Sequence, residues 1–154
     1  MQKIRMLIAF NGLRLLHSVG RSSTSIRFMG FSVTAPSFAN FLAIAREVFV
    51  FGDYFFNAST PAPVIIDCGA NIGMSTLFFK WLYPQARITA FEPSPVAVAA
   101  LRKNILDNVL TDVSVVEAAA SGEEGTIKFW EQESKPGSST AVKGVYDRKA
   151  EATV

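Results

Sequence analysis

An acidic residue and two glycines interrupt an otherwise apolar stretch, VIIDCGANIGMSTLFF (residues 64–79). We predict a strand in the apolar segment VIID, which ends at Asp67, and a helix that begins near Met74. Gly69 allows a tight turn with no Cβ in the way of a ligand, and Gly73 allows close packing where the helix begins. Because the first N–H groups of a helix have no partners within it, they attract a carboxylate or a phosphate. The stretch therefore predicts a binding turn between two core elements.

The residues of this turn bear on the class of ligand. The dinucleotide-binding fingerprint is G-x-G-x-x-G, whereas this chain has an acid at Asp67, glycines at Gly69 and Gly73, and Asn71 where a middle glycine would stand. The close glycine pair that lets a backbone approach a pyrophosphate is therefore missing, which argues against NAD. A carboxylate before the turn suits a ligand with an ammonium group, such as the methionine part of S-adenosylmethionine.

A second acidic residue, Glu92, ends the segment ARITAFE, 19 positions after Gly73. A carboxylate at the end of the second strand can accept hydrogen bonds from both hydroxyls of an unphosphorylated ribose. NAD and S-adenosylmethionine both contain such a ribose. Glu92 therefore indicates an adenosine-type ribose without choosing between the two cofactors.

After residue 63, segments typical of strands alternate with segments typical of helices. The second helix has Ser94 as its N-cap and Pro95 at its first position, and both residue types favour a helix start. This alternation indicates βαβ units and an α/β fold with a parallel sheet covered on both faces. The predicted strands are VIIDCG (64–69), ARITAFE (86–92), VSVVEAAA (113–120) and TIKFWEQ (126–132), and the predicted helices are MSTLFFKWLY (74–83) and SPVAVAALRKNILDN (94–108).

The rest of the chain has a less regular pattern. We predict an amphipathic helix over residues 1–20, a strand over residues 26–33 that bends at Gly30, and a largely buried helix from Ser37 to about Gly52. The chain accordingly divides into an N-terminal helix and strand extension (1–60), a Rossmann-like cofactor-binding half (61–132) and a flexible or truncated C-terminal segment (133–154).

The composition is that of a folded globular chain. The 154 residues are 49% hydrophobic, and their net charge of +2 gives no reason to propose nucleic acid as a partner. The first 46 residues carry six basic and no acidic side chains, which fits either a solvated surface or contact with an anionic partner. The single cysteine, Cys68, excludes an intrachain disulfide and favours a cytoplasmic location. No apolar run reaches the ~18–20 residues of a transmembrane helix.

Four segments in this order and spacing resemble the FkbM-type family of S-adenosylmethionine-dependent methyltransferases. The D-x-G-A-N-x-G turn followed by F-E-P is far more specific than a lone glycine motif. The resemblance extends over about residues 26–142 and is strongest over residues 64–130. It implies a Rossmann-like class I methyltransferase fold and methyl transfer to a hydroxyl of a sugar or natural product. The segments are VIIDCGANIGMSTLFF, ITAFEPSP, LRKNILDN and EAAASGEEGTIKFWE.

The resemblance also implies roles for individual residues. A loop around the methionine end of the cofactor would consist of Asp67, Gly69, Ala70, Asn71 and Gly73. Glu92 would hold the ribose, and Pro93 and Ser94 would flank the adenosine. Glu117, Ala118 and Ala119, at the end of the third strand, would line the adenine, although many methyltransferases have Asp or Asn there.

The family continues with a strand of the K-x-D-x-E-G type, which this chain lacks. We therefore expect an incomplete fold, the first βαβαβ half with an N-terminal extension, from a fragment or a truncated product. One alternative is a non-catalytic remnant that binds cofactor weakly or associates with another chain through its incomplete sheet. A nucleotide-dependent oxidoreductase is disfavoured by the glycine spacing.

Several other polar or reactive residues are given structural interpretations. Cys68 is interpreted as a small apolar filler, and His17 as a surface or capping residue. Asn104 and Asn108 are expected to satisfy backbone groups near a helix end. We assign no catalytic base, and the sequence has no metal-ligand cluster.

Overall fold

The computed structural model describes residues 24–123, 125–131, 139–140 and 148–153. The predicted helix over residues 1–20, with His17, and the predicted flexible residues 133–138 lie outside the described residues. The helices are α1 (Phe38–Ala45), α2 (Met74–Leu82) and α3 (Pro95–Asp107), with a π-helical turn at Arg46–Phe51. The strands are β1 (Thr24–Phe28), β2 (Phe31–Ala35), β3 (Val64–Cys68), β4 (Arg87–Phe91), β5 (Val113–Val116), β6 (Thr126–Glu131), β7 (Ser139–Thr140) and β8 (Arg148–Thr153).

The segment predicted as one bent strand is an antiparallel hairpin of β1 and β2. The chain reverses at Met29 and Gly30, whose φ angles are +53° and +90°. Two successive residues with positive φ form the tight turn that matches the twist of a hairpin. The prediction of a single strand was wrong because methionine at the first of these positions is not a usual turn residue.

The helix predicted from Ser37 is confirmed. The Ser37 hydroxyl accepts a hydrogen bond from the Asn40 backbone N–H at 3.1 Å, as an N-cap does. After α1 the chain continues through the π-helical turn and stops at Gly52, whose φ is +80°. Phe41 and Phe49 of this segment both contact Phe28 of the hairpin, with ring centroids 5.4 and 5.1 Å apart. This aromatic cluster holds the hairpin against the helical segment.

The parallel sheet has the order β3–β4–β5, and α2 and α3 both pack on one of its faces. Ile65 and Ile88 on this face share a buried cluster with Leu77 of α2, and Ala90 shares another with Leu101 of α3. Right-handed crossovers that step in one direction across a parallel sheet place their helices on the same side. The predicted βαβαβ arrangement is therefore confirmed.

The opposite face of β3 is exposed in the described part of the chain. Val64 and Ile66 are each 67% exposed, and Cys68, which follows them on the same face, is exposed as well. The prediction of a sheet covered on both faces was wrong for these residues, as was the interpretation of Cys68 as an apolar filler. β3 has the apolar pattern of a strand that is covered on both faces, but α2 and α3 both lie on its other face.

The strand predicted over residues 126–132 is confirmed as β6, which lies in a sheet separate from the parallel one. β6 runs antiparallel to β8, with Thr126 opposite Thr153 and Glu131 opposite Arg148, and it also pairs with β7. A parallel continuation after β5 needs a crossover of about a dozen residues or more, and residues 117–125 are too few for one.

No helix in the described part of the chain is long and apolar enough to cross a membrane.

Candidate functional site

The turn between β3 and α2 is bonded to the end of β4. The backbone N–H groups of Gly69 and Ala70 both donate to the carbonyl oxygen of Phe91, at 2.9 Å each. The Gly73 N–H donates to the Ala70 carbonyl at 2.8 Å, which closes the turn. Asn71 has a φ of +51° within it. The predicted turn thus lies at the carboxyl edge of the sheet, where open α/β sheets bind ligands.

The two glycines of the turn have different surroundings. A Cβ on Gly73 would lie 2.5 Å from Cδ1 of Leu101 in α3, whereas a Cβ on Gly69 would meet no atom within 4 Å. Both residues have positive φ, +87° and +84°. Gly73 therefore permits close packing at the start of α2, as the sequence indicated, and the element packed there is α3, while Gly69 leaves open space beside the backbone.

Asp67, the last buried residue of β3, is held by the first turn of α2. Its Oδ2 accepts hydrogen bonds from the Ser75 hydroxyl at 2.7 Å and the Thr76 hydroxyl at 3.1 Å. The side chain is only 7% exposed. Burial raises the pKa of the Asp67 carboxyl, and the two hydroxyl hydrogen bonds oppose the rise. Ser75 and Thr76 were not predicted as site residues, although hydroxyl residues at successive positions of a helix start after an acid are a usable signal.

Glu92 binds two backbone segments through its carboxylate. Oε2 accepts the Asn71 N–H at 2.8 Å, and Oε1 accepts the Ser94 N–H at 2.9 Å. Its own N–H donates to the Val116 carbonyl of β5 at 3.1 Å, and the residue is 4% exposed. Glu92 therefore joins the turn after β3 to the start of α3.

The residues next to Glu92 differ in exposure. Ser94 is fully buried and is the N-cap of α3, its carbonyl accepting the Val98 N–H at 2.9 Å. The predicted cap position is confirmed, although the Ser94 side chain makes no capping bond. Pro93 is partly exposed, whereas Ala70 in the turn is buried.

The third group of predicted site residues follows β5. This strand ends at Val116, earlier than the predicted 113–120, so Glu117, Ala118 and Ala119 lie after the strand and not within it. The Glu117 carboxylate forms an ion pair with the Arg102 guanidinium of α3 at 3.3 Å, and both side chains are largely exposed. Ala118 and Ala119 are partly buried. The structure places all three at the carboxyl edge that carries the turn.

Tyr54 is a further polar residue beside α2 that was not predicted as a site residue. Burial raises the pKa of its phenol, and the negative charges of Glu47 and Asp67 add to the rise. Its ring lies 6.3 Å from the ring of Phe79 in α2. The ring contact with Phe79 places Tyr54 against α2.

These groups offer three kinds of polar contact at one edge of the sheet. The N–H groups of the first turn of α2 can bind an anion. The carboxylate of Asp67 can bind an ammonium group, and that of Glu92 can accept hydroxyl donors. The parallel βαβαβ sheet with this glycine turn at its carboxyl edge is a partial Rossmann-like fold.

Three curated relatives are methyltransferases. The chain is 40% identical over 102 residues to methyltransferase sdnD of Sordaria araneosa, which covers 64% of this chain and 39% of that protein. It is 43% identical over 65 residues to 31-O-demethyl-FK506 methyltransferase FkbM of Streptomyces tacrolimicus, covering 42% and 25% of the two chains. It is 39% identical over 69 residues to 2-O-methyltransferase NoeI of Sinorhizobium fredii, covering 45% and 28%.

The chain thus spans well under half the length of these relatives. The solved structure of methyltransferase FkbM from Methylobacillus flagellatus aligns with a TM-score of 0.42 and 15% identity, over 80% of this chain and 35% of that one. No family model matches the chain. Over its matched part the chain is similar to the FkbM-type S-adenosylmethionine-dependent methyltransferases, and the resemblance found in the sequence is confirmed.

Proposed function

We propose that this chain is the cofactor-binding part of an S-adenosylmethionine-dependent methyltransferase that transfers a methyl group to a hydroxyl of a sugar or natural product. The observation that carries the proposal is the hydrogen bond from the Asn71 N–H to the Glu92 carboxylate. This hydrogen bond joins the turn, which is suited to the methionine end of the cofactor, to the carboxylate, which is suited to the ribose. The names of two relatives, which describe O-linked methyl groups, support the choice of a hydroxyl acceptor.

The residues at the sheet edge fit the charge pattern of this cofactor. Asp67 would bind the ammonium group of its methionine part, and the N–H groups at the start of α2 would bind the carboxylate. Glu92 would accept the ribose hydroxyls through its carboxylate, which the backbone N–H groups of Asn71 and Ser94 hold at the sheet edge. The adenosine would lie beside Pro93 and Ser94 and near residues 117–119.

The open space at Gly69 supports the fit. No atom lies within 4 Å of the position that a Cβ would occupy, so a ligand can approach the backbone there. S-adenosylmethionine would supply a methyl group activated by its sulfonium. The contribution of the residues named here would be to bind and orient it at a fixed place, because alignment of the reacting atoms accounts for much of the catalysis in such a transfer.

Calorimetry on the full chain tests the cofactor class. We expect saturable binding of S-adenosylmethionine and none of NAD at the same concentrations. Glu92→Gln should weaken S-adenosylmethionine binding by roughly tenfold or more, because a charged acceptor is lost, and Glu92→Ala should abolish it. Glu123→Gln is the matched control, since Glu123 is exposed. Tighter binding of NAD, or unchanged affinity in both Glu92 variants, would refute the proposal.

A second candidate function is non-catalytic association with another chain, with weak or no cofactor binding. It is favoured by the exposed Val64 and Ile66 on β3, which in the described part of the chain pairs only with β4. Exposed apolar edge strands promote association. If this role is correct, sedimentation velocity should show concentration-dependent self-association that Ile66→Lys reduces.

A further inference from the structure

Two asparagines of α3 pair with the backbone of β2. Asn104 Oδ1 accepts the Thr34 N–H at 2.6 Å, and its Nδ2 donates to the Thr34 carbonyl at 3.0 Å. Asn108 makes the same pair of bonds to Ser32, at 2.7 Å each. Each side-chain amide therefore occupies the place that a neighbouring strand would take.

The spacing of the two elements explains this pairing. Residues four apart on a helix are separated by about 6.0 Å along its axis, and residues two apart on a strand by about 6.6 Å. Asn104 and Asn108 therefore match Ser32 and Thr34. The expectation that these asparagines satisfy backbone groups is confirmed, but the backbone concerned lies 70 or more positions away.

Each asparagine also makes a third hydrogen bond, and here the two differ. Asn108 Nδ2 donates to the Asn104 carbonyl within α3 at 2.7 Å. Asn104 Nδ2 donates to the carbonyl of Ile72 at 2.8 Å, which lies in the turn between β3 and α2. Asn104 is 1% exposed, so water cannot readily replace it as the donor.

The Ile72 carbonyl belongs to the same planar peptide unit as the Gly73 N–H, and the two groups point in opposite directions. The Gly73 N–H is bonded to the Ala70 carbonyl at 2.8 Å. The peptide unit is therefore held at both ends, by the turn itself and by Asn104. Rotation of this unit would displace its neighbour Asn71, whose N–H is bonded to Glu92.

We propose that Asn104 is a positioning residue for cofactor binding: it fixes the Ile72–Gly73 peptide and thereby keeps the turn in its ligand-binding conformation. The inference rests on the proposed function, because the turn is the proposed site for S-adenosylmethionine. The same side chain holds the hairpin, so the N-terminal β2 strand and the turn are tied through one amide group.

The matched comparison is Asn104→Ala against Asn108→Ala in the full chain. Each variant loses three side-chain hydrogen bonds, two of them to β2, and only the first loses the bond to the turn. We expect Asn104→Ala to weaken S-adenosylmethionine binding about tenfold and Asn108→Ala to change it less than about twofold. Affinities are compared at a temperature where both variants are folded by circular dichroism.

A second pair covers the case in which the alanine variant of Asn104 does not fold. Asn104→Asp keeps the acceptor for the Thr34 N–H and the size of the side chain but removes both donors, and Asn108→Asp is its control. Hydrogen–deuterium exchange without ligand provides a readout independent of binding. Exchange of the peptide covering residues 69–76 should rise in Asn104→Asp and stay at the wild-type level in Asn108→Asp.

The outcomes separate the two proposals. If wild type binds S-adenosylmethionine but the Asn104 and Asn108 variants lose equal affinity, or none, the positioning role is refuted and the proposed function stands. If wild type does not bind the cofactor, the proposed function fails. In that case, if the peptide covering residues 69–76 exchanged hydrogen equally fast in Asn104→Asp and Asn108→Asp, the role of Asn104 in positioning the turn would be refuted as well.

Discussion

The carboxylate of Glu92 accepts the backbone N–H of Asn71 at 2.8 Å, although the two residues follow different strands. Parallel pairing of β3 with β4 brings Cys68 opposite Phe91, so the segments after these strands meet at one edge. Glu92 therefore shapes the turn as well as offering an acceptor to a ligand. Because glutamine has one acceptor oxygen, Glu92→Gln would set an NH2 group against one of the two backbone N–H groups of Asn71 and Ser94, so the variant changes the turn as well as the acceptor.

The first prediction concerns the contact between Gly73 and Leu101. Gly73→Ala combines a left-handed backbone, which costs about 1–2 kcal/mol, with overpacking against Leu101, which costs about 1–3 kcal/mol. We expect the free energy of unfolding to fall by roughly 2–5 kcal/mol in urea denaturation.

Gly69→Ala is the control for this prediction, because Gly69 has a similar φ and no neighbour within 4 Å. Its loss should be limited to the backbone strain of about 1–2 kcal/mol. The steric explanation would be wrong if both glycine variants lost the same stability. It also requires that Gly73→Ala cost less in a Leu101→Ala background than in the wild type.

The second prediction concerns the pH dependence of stability through Asp67. Burial raises the pKa of this carboxyl in the folded state, so its contribution to the free energy of unfolding is greatest below the pKa of the unfolded chain. This contribution is lost as the pH rises through the folded-state pKa. An amide does not ionise, so Asp67→Asn should be more stable than wild type at pH 7, and the difference should shrink as the pH falls through the raised folded-state pKa and be smallest below about pH 4.

Urea denaturation of both proteins between pH 3 and pH 8 measures this difference. Asp53→Asn, at an exposed position, should not reproduce the effect. If Asp67→Asn were less stable than wild type at pH 7, the hydroxyl hydrogen bonds to the carboxylate would outweigh the cost of burying its charge. The same variant should bind S-adenosylmethionine more weakly, because the proposed partner of the ammonium group has lost its charge.

The third prediction concerns the end of α3. The N–H groups of Val109 and Leu110 donate to the carbonyls of Leu106 and Ile105, at 3.0 Å each, which is the bonding pattern of a Schellman motif. Its left-handed position is occupied by Val109, with a φ of +51°, where glycine is the usual residue. Val109 is 83% exposed, so a smaller side chain loses little packing.

Val109→Gly should therefore raise the free energy of unfolding by up to about 1 kcal/mol, since removal of the left-handed strain outweighs the added freedom of the unfolded chain. Thermal and urea denaturation both measure the change. Leu106→Gly, an exposed position inside the helix, should have the opposite sign and lose about 1 kcal/mol. A loss of stability in Val109→Gly would show that the valine makes contacts worth more than the strain.

The elements around the site were predictable because their signals are local. The strand before Asp67, the helix after Gly73 and the N-cap at Ser94 each depend on periodicity or backbone preference within a few neighbouring residues. The same local signals identified the turn and the carboxylate at Glu92. The hairpin at Met29 was not predicted because its turn lacks the residues that normally mark a hairpin turn.

The contacts among these elements depended on the tertiary structure. The amide of Asn104 reaches Thr34, 70 positions away, and the amide of Asn108 reaches Ser32, 76 positions away; nothing in the sequence near either asparagine indicates its partner. The sequence by itself determined where the strands, helices and binding turn form, because backbone preferences and hydrophobic periodicity act over a few residues. Only the tertiary structure decided which sheet face is covered and which side chains brace the turn, because those contacts form when segments distant in sequence pack together.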